Sequence, residues 1–210
     1  MPDKSINVIH HNLKKWIVIC CLAFIFSGVI ALFWYRQWIY SLPTPVPGNY
    51  VTVLRGEYIN MDNTLPEEKN KALFLHFFNP DCPCSRFNTS HFNSLVKKYS
   101  QQLDFRVIVI TNKNYTAAAI KKRFDFDVPV IVDSNIARRC GVYSTPQAVL
   151  LDNKHCIYYR GNYNRSRYCT DKSTNYAELA VNSMLTARDI PVFDQFALRA
   201  YGCSLPECKK

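Results

Sequence analysis

Glycine and negative charge are both scarce in this sequence. Only 6 of its 210 residues are glycine, and 16 acidic residues stand against 26 basic ones, which gives a formal net charge of +10. This composition excludes a collagen-like chain, and a hydrophobic content of 48% excludes a disordered one. The sequence also lacks internal repeats, zinc-finger spacing and any interleaving of basic with aromatic residues. We therefore expect a globular protein with a solvated basic surface and no nucleic-acid partner.

Long uncharged segments are scarce too, and the composition excludes a multi-pass membrane protein. The exception is residues 16–35, a run of 20 residues that is long enough to cross about 30 Å of hydrocarbon as a helix. Three lysines precede this run, at positions 4, 14 and 15, so the positive-inside rule predicts a cytoplasmic N-terminus. A cleaved signal peptide is the alternative, but bulky side chains occupy positions 33–35, where a cleavage site needs small ones.

The rest of the chain divides by composition. Prolines alternate with other residues over positions 43–47, which favours an extended spacer between the membrane and a domain. The predicted divisions are a cytoplasmic N-terminus at 1–15, a transmembrane helix at 16–35, a proline-rich linker at 36–48, a folded domain at 49–188, and a C-terminal extension at 189–210 that contains Cys203 and Cys208.

From residue 49 onward, apolar runs alternate with segments of helical spacing. The predicted strands are 50–54, 71–78, 105–111, 128–132, 147–151 and 156–160, the last two forming a hairpin. The predicted helices are 85–100, 115–124 and 173–187, with a helical turn over 133–140 that ends at Gly141. This order predicts an α/β fold with a mixed central sheet that is covered on both faces.

The segment with the most chemical content is 79–86, NPDCPCSR, at the predicted junction of a strand and a helix. Unpaired backbone N–H groups and the helix dipole at such a junction stabilise a thiolate, which is the reactive form of cysteine. Cys84 stands two residues after Cys82 and is close enough to resolve a mixed disulfide formed there. A Cys-x-Cys pair alone is equally consistent with a structural disulfide or a metal-binding pair.

Three stretches that follow one another along the chain favour redox chemistry. They are 77–84 (FFNPDCPC), 129–146 (PVIVDSNIARRCGVYSTP) and 159–161 (YRG). Their order resembles the thioredoxin-fold redoxins, particularly the membrane-tethered, extracytoplasmic thiol-disulfide oxidoreductases. The resemblance implies a thioredoxin-like three-layer α/β/α fold with a mixed central sheet, preceded here by one transmembrane helix.

The resemblance also implies roles for individual residues. Cys82 would be the attacking thiol and Cys84 the resolving one, while Thr145, followed by a cis Pro146, would offer its backbone to a substrate peptide. The substrate would be a protein thiol or disulfide, an upstream redox partner would restore the site, and no cofactor or metal is expected. The chain departs from the family in having Cys-x-Cys in place of Cys-x-x-Cys. A disulfide in this tighter ring is easier to reduce, unless each cysteine pairs elsewhere.

His76 lies six residues before Cys82, where thioredoxins have a buried acid. An imidazole there is able to accept the thiol proton at neutral pH and, when charged, to lower the thiol pKa. The alternative is a histidine that only packs within its strand.

The remaining cysteines of the domain have no fixed partners. In an oxidising compartment, Cys156 with Cys169 and Cys203 with Cys208 are candidate structural disulfides, although sequence does not fix connectivity. Some redoxins end in a segment similar to residues 202–205, which would bring Cys203 to the active-site face. Cys140 is left over, either near that face or packed in the core.

Together these features predict a single-pass protein of the inner (cell) membrane whose periplasmic domain exchanges thiols and disulfides. Two alternatives remain open. One is a copper-binding thioredoxin-fold assembly factor, because close thiolates suit Cu(I), although those chaperones carry Cys-x-x-x-Cys. The other is a catalytically inert thioredoxin-like interaction domain.

Overall fold

The computed structural model describes residues 4–61, 71–166, 168–186 and 191–208, with the side chains described from residue 13 onward. The chain divides between Leu42 and Pro43 into two compact units. The first contains one long helix, α1 (Lys4–Ser41), and an 18-residue window within its stretch Leu13–Ser41 has a mean hydropathy of 2.7. Its 29 residues are long and apolar enough to cross a membrane, and the uncharged run predicted from the sequence lies inside it.

Among its described residues, the second unit has seven strands and five further helices. The strands are β1 (Ala72–Phe78), β2 (Leu103–Val109), β3 (Val130–Val132), β4 (Ser144–Thr145), β5 (Gln147–Leu151), β6 (Ile157–Gly161) and β7 (Cys203–Ser204). The helices are α2 (Pro83–Tyr99), α3 (Ala117–Phe124), α4 (Ser134–Arg139), α5 (Tyr176–Leu185) and α6 (Gln195–Leu198), with one turn of 3₁₀ helix at Lys172–Thr174.

Five strands form the central sheet in the order β3-β2-β1-β5-β6. β1 pairs in parallel with β2 and β2 with β3, whereas β5 is antiparallel to both β1 and β6. The parallel pairs require crossover connections, which α2 and α3 supply, and the antiparallel pair β5–β6 is a hairpin. The mixed sheet predicted from the sequence is confirmed.

Alternation along β1 sends side chains to both faces of the sheet. Phe74 and Phe78 pack into one buried cluster with residues of α2, α3 and α5, while Leu75 and Phe77 pack into another with residues of α4 and the segment 53–61. Because both faces are apolar and covered, the central strand reads as an almost continuous hydrophobic run. The result is three layers, with the carboxyl end of β1 leading into α2.

Two predicted elements differ in the structure. Residues 50–54, all of them described, form no strand, because Val53 packs onto the sheet from a loop and the nearest bridge joins Tyr58 to Cys156. The helix predicted over 173–187 is α5, which begins three residues later because the Asp171 side chain accepts a hydrogen bond from the Ser173 N–H and holds a 3₁₀ turn. Residue 187 lies outside the described residues.

The segment 36–48, predicted as an extended linker, is partly helical and partly packed against the C-terminal segment in the structure. Its first residues, 36–41, belong to α1. Thr44 is only 3% exposed, and it donates its backbone N–H to the Ala200 carbonyl and its hydroxyl to the Gly202 carbonyl. The linker is therefore attached to the C-terminal segment from Thr44 onward.

Candidate functional site: a cluster of four cysteines

Cys82 occupies the junction between β1 and α2. It is the N-cap residue of α2, and Pro83 fills the first helical position, where a missing N–H costs nothing. The turn before it is held by Asn79, whose Oδ1 accepts from the Asp81 N–H and whose own N–H donates to the Ser85 hydroxyl. The Cys82 sulfur is thus presented at the positive end of the helix dipole, as the sequence predicted for this junction.

Four thiols converge at this point. The Sγ atoms of Cys82, Cys203 and Cys208 all lie within 4.8 Å of one another, and the Sγ of Cys203 lies 3.5 Å from that of Cys84. We refer to these four residues as the cysteine cluster. No disulfide joins any of the nine cysteines, all of which lie in the described part of the chain. Cys82, Cys84 and Cys203 are buried, with exposures of 0%, 4% and 2%.

The C-terminal segment reaches the cluster through a second, two-stranded sheet. Cys203 in β7 pairs antiparallel with Thr145 in β4, and the Leu205 N–H donates to the carbonyl of Tyr143. Gly202 makes this approach feasible, because a Cβ there would clash with the carbonyl oxygen of Thr145. Backbone pairing therefore fixes the position of the Cys203 thiol.

The bond between Thr145 and Pro146 is cis, as the resemblance implied. Thr145 is fully buried, and its neighbour across the two-stranded sheet is Cys203. A second cis bond joins Leu205 to Pro206, between Cys203 and Cys208 along the chain, and none is predicted there from the sequence. The Pro206 carbonyl accepts a hydrogen bond from the Asn79 side chain at 3.0 Å, which ties the C-terminal segment to the turn before Cys82.

Hydrogen bonding within the cluster lowers the pKa of the Cys82 thiol from about 9 to about 5. The largest cause is a hydrogen bond from the Cys203 thiol, followed by one from Cys84, and burial opposes both. The pKa of Cys203 moves the other way and is raised, because its proton is shared with the Cys82 sulfur. The cluster therefore favours the thiolate form of Cys82 and the thiol form of Cys203.

His76 lies in the core, beneath α2. It is fully buried, its ring stacks on Phe92 with centroids 4.3 Å apart, and its Nδ1 lies 2.7 Å from the Tyr163 hydroxyl. Burial, with a further contribution from His91, lowers the pKa of His76 to about 3. The imidazole is therefore uncharged at neutral pH. The role of a charged imidazole that lowers a thiol pKa does not apply to His76 in this structure.

Cys156 and Cys169 make separate contacts. The thiol of Cys169 donates to the Asn88 side chain at 3.2 Å, and burial raises its pKa to about 12. The Cys156 sulfur lies 3.8 Å from the Lys154 carbonyl in the β5–β6 hairpin. Their pairing stays a prediction, and so does that of Cys203 with Cys208. Cys140 is fully buried in the core with its pKa raised to about 12, which favours packing over reactivity.

Comparisons with known proteins agree with this topology. The family model of a domain of unknown function, DUF6436, matches residues 53–205, and the chain belongs to this family. Among solved structures, it is similar to a hypothetical protein from Sinorhizobium meliloti 1021 (TM-score 0.56, 20% identity, 65% of this chain and 80% of that one). It is also similar to an uncharacterized conserved protein from Geobacillus kaustophilus (TM-score 0.56, 18% identity, 67% and 78%).

A weaker similarity is to StoA from Bacillus subtilis, with a TM-score of 0.39 and 19% identity over 44% of this chain and 74% of that one. Comparison with curated protein sequences gives no match. The order of the strands, the β1-α2-β2 crossover, the β5–β6 hairpin and the cis bond before β5 define a thioredoxin-like fold. The fold class predicted from the sequence is confirmed.

Proposed function

We propose that this protein is a membrane-anchored, extracytoplasmic thiol-disulfide oxidoreductase that reacts through Cys82 and Cys84. The observation that carries the proposal is the Cys82 thiolate at the start of α2, with a pKa of about 5 and further thiols in contact. The thiolate is the nucleophile of disulfide exchange, so a cysteine with this pKa is almost fully in its reactive form at pH 7.

The reaction has two exchanges. The Cys82 thiolate attacks one sulfur of a substrate disulfide, forms a mixed disulfide, and releases the other substrate sulfur, which takes up a proton. Cys84 then gives up its proton and attacks the Cys82 sulfur, which releases the second substrate thiol and leaves a Cys82–Cys84 disulfide. Two electrons pass to the substrate together with the proton of Cys84, and the second proton comes from solvent. An upstream redox partner returns the electrons. The same steps in reverse oxidise a substrate dithiol.

The proposed location is supported by α1 and the residues that flank it. The helix is long and apolar enough to cross a bilayer, and the lysines near its start favour a cytoplasmic N-terminus with the domain in the periplasm. A periplasmic domain suits a disulfide chemistry, because that compartment is oxidising. The substrate is a protein thiol or disulfide whose extended segment would take the place of β7 opposite the backbone of Thr145.

Binding of Cu(I) as cargo is the second candidate, and the spacing of the sulfur atoms favours it. Three thiols within 4.8 Å of one another match the soft, sulfur-rich coordination that Cu(I) prefers. In that case Cys82, Cys203 and Cys208 would hold the ion, and disulfide exchange would be a side reaction of the reduced cluster.

Turnover of a protein disulfide separates the two candidates. The full-length protein in detergent micelles is reduced, mixed with insulin, and sampled by alkylation and gel shift. We expect Cys82→Ser to fall to the uncatalysed rate and Cys156→Ser, in the hairpin away from the cluster, to keep the activity of the unmodified protein. Equal turnover by both variants would overturn the proposal. Stoichiometric Cu(I) binding without turnover in the unmodified protein would establish the second candidate instead.

A further inference from the structure

The C-terminal segment, residues 202–208, occupies the position that the proposed function gives to a substrate. Its strand β7 pairs antiparallel with β4, and Cys203 stands opposite Thr145, the residue before the cis bond. A substrate peptide that paired with the same backbone would bring its cysteine to the same place. The molecule therefore carries a cysteine-containing strand of its own at its peptide-binding edge.

Several contacts hold this strand in place. The Asn79 side chain donates to the Pro206 carbonyl, and the hydroxyl of Thr44 donates to the Gly202 carbonyl at 2.6 Å. Thr44 follows closely on the end of α1, so the linker and the turn before α2 both bind the segment. Contacts on both sides of Cys203 indicate a built position, because a chain end that only rests on a surface has few specific hydrogen bonds.

The sulfur atoms complete the arrangement. Cys203 and Cys208 each have their Sγ within 4.8 Å of the Cys82 Sγ and of each other, and Cys203 also reaches Cys84 at 3.5 Å. The four thiols thus form two dithiol pairs, Cys82–Cys84 and Cys203–Cys208, and both members of the second pair lie close to the Cys82 sulfur. Disulfide exchange requires the reacting sulfur atoms to come into contact, and at these separations side-chain rotation can bring them together.

We propose that residues 202–208 are an internal substrate, and that Cys203 and Cys208 form a second redox pair that exchanges a disulfide with Cys82 and Cys84. The Cys82 thiolate attacks the Cys203 sulfur of a Cys203–Cys208 disulfide and releases Cys208 as a thiol. Cys84 then attacks Cys82, and Cys203 leaves with a proton. Two electrons and the proton of Cys84 move from the first pair to the second, and Cys208 takes its proton from solvent. The reverse exchange returns them.

This inference rests on the proposed function, since it needs Cys82 to be the attacking thiol. It adds a relay, in which electrons pass between the Cys82–Cys84 pair and a second dithiol pair on the C-terminal segment. The close approach of the Cys82 and Cys203 Sγ atoms, within 4.8 Å, is the contact from which such an exchange begins. The start of α2 and the hydrogen bond from Cys84 favour the thiolate form of Cys82, which makes this sulfur the attacker.

A variant that lacks Cys84 tests the relay. The reduced full-length Cys84→Ala protein in detergent receives one equivalent of oxidised glutathione and is then quenched with acid. We expect Cys203 to resolve the glutathione adduct on Cys82, which releases about two glutathione thiols per protein and leaves Cys203 in a disulfide with Cys82 or, after attack by Cys208, with Cys208. The double variant Cys84→Ala/Cys203→Ala is the matched control, and it should release about one and keep the adduct. Mass spectrometry of the digested protein reads both products.

The outcomes separate the relay from the proposed function. A stable glutathione adduct on Cys82 in Cys84→Ala, with the Cys203 thiol still open to alkylation, would overturn the relay and leave Cys82 as the attacking thiol. A disulfide from Cys82 to Cys208 would also contradict it, because the strand pairing presents Cys203. Absence of any adduct or disulfide at Cys82 in both variants would overturn the proposed function and the relay with it.

Discussion

The Sγ atom of Cys203 lies 3.5 Å from the Sγ atom of Cys84, although 119 residues separate the two along the chain. Cys84 comes from the first turn of α2 and Cys203 from β7, and the pairing of β7 with β4 brings them together. This contact joins the Cys-x-Cys segment to the C-terminal segment. Cys203 also influences the protonation of the cluster, because its hydrogen bond to Cys82 is the largest cause of the lowered Cys82 pKa.

Removal of this donor should raise the pKa of Cys82. A hydrogen bond to a charged group contributes about 1.5–3 kcal/mol, and one pKa unit corresponds to about 1.4 kcal/mol, so Cys203→Ala should shift the pKa up from about 5 by roughly one to two units. The measurement is the pH dependence of Cys82 alkylation, whose rate rises as the thiolate forms. Cys203→Ser keeps a hydroxyl donor and should stay closer to the unmodified protein.

The same profile gives the pH dependence of the reaction itself. Because the pKa of Cys82 is lowered to about 5, its thiolate fraction climbs as the pH rises through that value and is nearly complete at pH 7. Alkylation of the unmodified protein should therefore be almost flat between about pH 7 and 9, where an ordinary cysteine thiol still gains thiolate. A rate that rises steeply through pH 8–9 would show that the cluster does not stabilise the thiolate.

A methyl group at position 202 should loosen β7 from β4. Gly202→Ala places a Cβ against the Thr145 carbonyl, so we expect the strand to shift and Cys203, now 2% exposed, to become open to alkylation. The pKa of Cys82 should rise at the same time, because its donor moves away. Gly48→Ala is the matched control, since a Cβ there meets nothing within 4 Å. Equal protection of Cys203 in the two variants would contradict the packing described for this strand.

Replacement of His76 should affect stability more than reactivity. The ring is buried among aromatic side chains and bonded to Tyr163, and a pKa of about 3 leaves it neutral throughout the working range. His76→Leu removes the partner of a buried hydroxyl, which costs about 1–3 kcal/mol of unfolding free energy. The pH profile of Cys82 alkylation should be unchanged, and a shift of that profile would assign His76 a part in the chemistry.

The elements predicted best are those whose signal is local. β5 has the predicted bounds, 147–151, because the proline before this short apolar run and the turn after it define where the strand begins and ends. Gly141 ends the turn of α4 with a φ of +64°, as a glycine after a helix is expected to. The segment 50–54 has a strand-like composition, but it is a loop in the structure. Its Val53 side chain packs against one face of the sheet, in the cluster that contains Leu75 and Phe77.

Only part of the cysteine cluster is predictable from the sequence. The Cys-x-Cys junction was recognisable from the breaking of β1 and the spacing of α2. β4 and β7, in contrast, have two residues each and carry no periodicity, so their pairing depends on long-range contacts. The resemblance of residues 202–205 to the end of other redoxins predicted that Cys203 lies at the active-site face. The candidate disulfide of Cys203 with Cys208 predicted that these two lie close together, but no local signal predicted the approach of Cys208 to Cys82.

Disulfide mapping of the protein as it is found in its membrane tests the central claim most directly. Membranes are quenched with acid, free thiols are alkylated, and linked peptides are identified by mass spectrometry. We predict that Cys82 and Cys84 occur as free thiols or in disulfides confined to residues 82, 84, 203 and 208, in proportions that follow the redox state of the sample. Permanent disulfides from Cys82 and Cys84 to Cys140, Cys156 or Cys169 would contradict the account, because no dithiol would remain to react.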